Sequence, residues 1–191
     1  SKIIDGKLRK LYYIYNTDFR VPHLNAVFLY HNRIGYCREA CDLTIYAMRA
    51  CGIPVATDYF VYSPDYQHYH CWTMLRDTTG TFLQFGKGKV YRYCFGMQAD
   101  KNSGTSGNRQ LSPVLKNRFV KDVTSEYFGS NDTTIPIQMS GEQYIYLGIF
   151  SPGGWIPIDM ALGNAGKVTF RDIEPDVIYQ TLYQGDGGKL Y

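Results

Sequence analysis

Along this chain the spacing of apolar and polar positions changes rhythm several times. Residues 1–34 hold two short apolar runs, LYYIY and AVFLY, broken at Asn16, Pro22 and Asn32, which predicts an extended or partly helical lead-in rather than a complete domain. From Tyr36 to Cys51 the apolar or small residues Cys37, Ala40, Cys41, Thr44, Met48 and Cys51 recur at the spacing of one helix face, and Gly52 followed by Pro54 stops the helix. The period then drops to two. Residues 55–62 are β-branched and aromatic, 63–65 (SPD) turn, 70–76 alternate, 77–80 (DTTG) turn again, and 81–85 (TFLQF) complete a strand, a loop and a hairpin. A helix followed by antiparallel strands is an α+β order, distinct from the βαβ alternation of a parallel sheet. Residues 99–113, poor in apolar side chains and rich in Gly, Ser and Asn, predict a long polar surface loop. Strand-like runs near 135–139, 143–150, 154–159, 166–171 and 176–183, separated by Gly, Pro, Asn and Asp, predict an all-β module over 129–191 behind a first domain over 1–128. No tandem repeat is visible.

Composition narrows the classes. Hydrophobic residues make up 45% and aromatics 16% of the chain, against 19% charged, a load that a disordered chain does not carry. The +3 formal charge is spread out with no Lys/Arg block, which gives no case for a nucleic-acid partner. No apolar run reaches the ~18 residues of a membrane-spanning helix, and SKIIDGKLRK has no apolar stretch of signal-peptide length behind it. The five cysteines, Cys37, Cys41, Cys51, Cys71 and Cys94, are odd in number, so at least one cannot pair within the chain. Their spacing is neither a disulfide framework nor a zinc-type CxxC pair, and the question becomes whether one of them is reactive.

Cys37 falls in the first turn of the predicted helix, where unpaired N–H groups and the helix dipole favour a thiolate, and it is expected to be the most reactive thiol. His70 and Trp72 share a face of the following strand because side chains alternate there, so an imidazole can be presented to the helix start with an indole beside it. The blander reading is that both residues are core positions, since cysteine is among the most buried residue types. A metal reading of His68, His70 and Cys71 with Cys37 or Cys41 is the weaker one, because no second cluster has ligand spacing. No metal and no cofactor is expected. The other four cysteines read as small core residues or bystanders, and Arg49 as an ion-pair or carbonyl-capping residue near the helix end. The tyrosines and Trp155 offer aromatic faces for a glycan, although strand tyrosines are more often packing residues.

The wording around these residues, ArgIleGlyTyrCys (33–37), ArgAlaCysGlyIlePro (49–54) and HisCysTrp (70–72), resembles the transglutaminase-like superfamily, whose members carry a G-x-C nucleophile on a helix, an R-A-x-G-I-P segment ending it and an H-x-W strand. LysValTyrArg (89–92), LysAspValThrSerGluTyr (121–127) and TrpIleProIle (155–158) look like the transglutaminase-like proteins of Bacteroidetes, in which a catalytic domain precedes a small β-sandwich. The resemblance implies a papain-like core, a nucleophile helix packed on an antiparallel sheet, followed by a β-sandwich-like module. It implies thiol-dependent acyl transfer on peptide amides: Cys37 attacks the carbonyl, His70 takes the thiol proton and returns it to the leaving amine, and water or a primary amine completes the turnover. Trp72 and Arg49 would support substrate or structure, and the partner would be a peptide or protein. It further implies an extracytoplasmic setting, periplasm or cell surface, and a chain that is a piece of a longer secreted or lipid-anchored protein, since few residues precede the nucleophile helix.

One position departs from the family pattern. The acid that orients the imidazole would follow PheLeuGlnPhe (82–85), where this chain has Gly86; Gln84, Asp77 and Asp58 are the substitutes, Gln84 nearest but without charge. Two functions stay open: a thiol acyl-transfer enzyme, or a catalytically degenerate scaffold of the same fold that binds protein or glycan at a bacterial surface.

Overall fold

A computed structural model describes residues 7, 13–16, 18, 21–65, 68–75, 88–98, 112–138, 141–185 and 189–191. The protein is mixed α+β with several antiparallel sheets, as the order of periods predicts. It falls into two compact units, one of residues 1–59 with 70–83 and one of 60–69 with 84–191, so residues 84–128 belong with the β-rich tail.

In the first unit, β1 (Ile14–Tyr15) pairs in parallel with β2 (Ile34–Gly35), and between them lies the helix α1 (Ala26–Asn32). Asn25 starts α1 by accepting the Phe28 N–H at 2.9 Å, and Arg33, at φ 48°, ends it. The periodic segment forms α2 (Cys37–Ala50), with Cys37, Cys41, Leu43, Ile45 and Met48 buried. Gly52, at φ 72°, takes the left-handed turn that lets Ile53 N–H reach the Met48 carbonyl at 3.0 Å, the stop that the sequence predicts. Ile45 and Met48 bury against Val55, with Ile53 and Leu75 around them.

The predicted strands follow as β3 (Ala56–Ser63) and β4 (His68–Met74), joined through Pro64 and Asp65. The expected strand 81–85 and residues 99–111 of the expected loop lie outside the described residues. The sheet has the order β4-β3-β5-β6, with β5 at Val90–Tyr93 and β6 at Val120–Asp122 running antiparallel. The phrases 89–92 and 121–127, far apart in sequence, meet here. Tyr91 lies opposite Asp122, Val90 N–H donates to Thr124 Oγ1 at 3.0 Å, and Arg92 pairs with Glu126 at 2.8 Å. Short helices α3 (Pro113–Lys116) and α4 (Thr124–Phe128) flank β6 in sequence.

The tail contains all five runs read as strands, as β7 (Thr133–Pro136), β8 (Gln143–Ser151), β9 (Gly154–Gly163), β10 (Lys167–Phe170) and β11 (Tyr179–Leu182). β10 pairs with β7, and β8 is the centre of a three-stranded sheet with β11 and β9. Ile137, Ile145, Leu147, Val168, Phe170 and Ile173, drawn from both sheets and their flanks, form one buried cluster.

The second unit is organised around a buried charge. Lys89 Nζ, with no exposed side-chain surface, lies 2.7 Å from Asp122 Oδ2 and 2.9 Å from Asp159 Oδ2, and donates to the Arg171 carbonyl at 2.7 Å. A bulge between Leu147 and Gly148 on the β8–β9 ladder leaves Ile158 without a register partner; its carbonyl accepts from the Tyr91 hydroxyl, next to Asp159. Burial alone lowers a lysine's affinity for its proton, but Asp159 and Asp122 outweigh it and hold the ammonium above the ordinary lysine range.

Removing the ammonium strands two carboxylates. Lys89→Met is expected to destabilise the protein by about 3–5 kcal/mol in urea titrations at pH 7. Because the folded-state pKa is raised, this difference should persist across neutral pH and shrink only as pH climbs above the ordinary lysine range; equal stability of the two proteins at pH 7 would refute the assignment.

Candidate active site

The site begins with a glycine. Gly35 sits at φ 152° directly before the helix, and a Cβ there would overlap the Glu39 side chain and the Tyr13 hydroxyl. Glu39 needs that space because its carboxylate folds back over the helix start, where Oε2 accepts the Tyr36 N–H at 2.9 Å. Arg38 neutralises the same buried carboxylate through Nε at 2.7 Å and ties it to the Val21 carbonyl at 2.7 Å. Cys37 is thereby fixed as the first residue of α2. Gly35→Ala forces this approach open, and a loss of about 1–3 kcal/mol in stability is expected, read by thermal or urea unfolding.

The Cys37 sulfur meets β4. The Cys71 thiol, the Cys71 main chain and the His70 ring all lie near enough to act on its affinity for a proton. The His70 and Trp72 rings are stacked at 6.0 Å and 27°, as expected of residues on one strand face. The structure therefore brings Cys37, His70 and Trp72 together. It reverses one expectation about charge. The Cys71 thiol and then burial push the Cys37 thiol well above the ordinary cysteine range, outweighing the downward pull of His70 and the Cys71 amide. The helix start alone does not set the ionisation; Cys37 rests as a neutral thiol, 4% exposed.

Cys41 and Cys71, read as small core residues or bystanders, are both buried, and their sulfurs are 3.7 Å apart. Two tyrosines were not singled out by pattern. Tyr15 on β1 packs its ring on Tyr36 at 5.3 Å, and both phenols are raised in pKa, by burial first and then by the neighbouring Cys37. The sequence signal of Tyr15 is the LYYIY run that pairing with β2 carries to the helix start.

Arg49 donates to the carbonyl of Val55, beyond the end of α2, at 2.9 Å. Asp58 is fully buried on β3, the strand beside β4 in the sheet. Gln84, Asp77 and Gly86 lie outside the described residues. His68 bonds through Nδ1 to the Tyr69 carbonyl at 2.6 Å, and among the described residues no group of three or more His, Cys, Asp or Glu is arranged to hold a metal ion. In the second unit Trp155 stands edge-on to Phe150, centroids 5.3 Å apart at 69°, so the two rings do not form a flat platform. Among the described residues no helix is long and apolar enough to cross a membrane. Comparison of the chain with protein-family models, with curated proteins and with solved structures finds no match.

These environments order the thiols. Iodoacetamide near neutral pH should modify the exposed Cys51 ahead of Cys37. The Cys37 rate should rise with pH without a plateau near neutrality, as peptide mapping across pH 6–10 would show. A Cys37 plateau below pH 7 would mean a preformed thiolate and contradict the environment described.

Proposed function

We propose that this protein is a thiol acyl-transfer enzyme acting on peptide amides, with Cys37 as nucleophile and His70 as base. The observation that carries the reading is the placement of the His70 ring, stacked on Trp72 on β4, where it acts on the Cys37 thiol at the first turn of α2. A nucleophile within reach of a base, the base itself buttressed by Trp72, is the arrangement such chemistry requires. The resemblance of 33–37, 49–54 and 70–72 to the transglutaminase-like superfamily supports the same reading and names its core fold. An extracytoplasmic setting and a peptide or protein substrate come with that resemblance.

Because Cys37 is neutral at rest, the sulfur loses its proton to His70 as the carbonyl is attacked, and the reaction is base-assisted rather than that of a standing ion pair. The imidazolium then protonates the leaving amine, and water or a primary amine resolves the thioester. The elevated, covered thiol also favours the second reading, a scaffold of the same fold that has lost turnover.

One experiment separates them. A glutamine-containing peptide is offered in water and with a fluorescent primary amine, while ammonia release, amine incorporation and the thioester mass are followed. The enzyme reading expects turnover that Cys37→Ala abolishes and His70→Ala lowers by about 10²–10⁴-fold. Turnover surviving Cys37→Ala rejects this site, and a folded wild type with no turnover and no thioester supports the scaffold.

A further inference from the structure

Three buried thiols in one cluster are more than a single nucleophile needs. Cys37 and Cys41 are one turn apart on α2, where a bond between them would be badly strained, but Cys71 arrives from β4 and touches both. Its sulfur is 3.7 Å from that of Cys41, and both residues are almost completely buried, at 2% and 6% exposure. A disulfide requires an S–S distance of about 2.05 Å, so closure needs a shift of less than 2 Å, shared between a helix and a strand that already pack on one another.

We propose that Cys41 and Cys71 are a redox pair which a hydroperoxide oxidant joins as a disulfide between α2 and β4, leaving Cys37 as the free nucleophilic thiol. The sulfur of one thiol attacks the peroxide oxygen, breaking the O–O bond, releasing alcohol or water and becoming a sulfenic acid. The second thiol sulfur attacks the sulfenic sulfur, the S–S bond forms, and water leaves with the hydroxyl and the thiol proton. Two thiols have then lost two electrons and two protons to the peroxide, and an added dithiol reverses the change.

The test treats the folded wild-type chain with hydrogen peroxide, which is small enough for buried sulfurs, then quenches, alkylates under denaturing conditions and maps peptides without reductant. The expected result is one link between the Cys41 and Cys71 peptides, two hydrogens lighter than the reduced pair and lost on dithiothreitol treatment. A Cys37–Cys71 link, or Cys41 and Cys71 both still alkylated or over-oxidised without a link, overturns the proposal. Peptide-amide turnover does not enter the readout, so a catalytically dead chain leaves the result interpretable. The Cys51→Ser, Cys94→Ser double variant, which removes an exposed and a partly exposed thiol, should give the same map if these thiols play no part.

Discussion

A buried carboxylate sets the first unit in order. Glu39 is 1% exposed, and its charge is tolerable only because Arg38 lies against it and the Tyr36 amide donates to it. Those contacts draw the Glu39 side chain into the space above residue 35, which no side chain can share. The glycine of the GlyTyrCys triplet is thus a steric necessity created two residues past Cys37. Once the helix start is locked, the face of α2 is fixed, and Cys37 and Cys41 turn together toward β4, where Cys71 and His70 meet them.

Local periodicity carried the parts of this that depend on local periodicity. The three- and four-residue spacing after Tyr36 and the glycine at position 52 define α2, and alternation in 70–72 puts His70 and Trp72 side by side. The five runs of the tail are strands because each is long enough to show its period between turn residues. β1 is two residues long, so the LYYIY run reads as an apolar lead-in without showing that its Tyr15 comes to the helix start. The charge state of Cys37 was misjudged for a related reason. A helix start is a local property, whereas the opposing thiol belongs to Cys71 on another strand. Asp58 could be read as a candidate and proves fully buried, while Gln84 and Gly86 fall outside the described residues.

In the second unit the same logic operates at longer range. Lys89 and Asp159 are 70 positions apart, and Gly88 and Glu174, joined by a 3.0 Å hydrogen bond, are 86 apart. A lysine in a short polar-aromatic phrase looks like a solvated residue until its partners are known. Its carboxylates come from β6 and from the β9 side of a bulge, so a single ammonium links three strands that no apolar pattern connects. Hydrophobic burial stabilises such a unit without choosing among registers, because apolar contacts are interchangeable. A charge that must meet two carboxylates and a carbonyl has few alternative arrangements, and one of those carboxylates, Asp159, stands next to Ile158, the residue the bulge leaves without a register partner.

The burial of Cys37 implies latency. A carbonyl carbon has to come within about 3.5 Å of sulfur to react. At 4% exposure Cys37 presents almost no surface to a reagent, and the rings of Tyr15 and Tyr36, packed on one another, lie at the same helix start. The thiol is met only when a local fluctuation uncovers it, and the same covering gives it a long chemical lifetime.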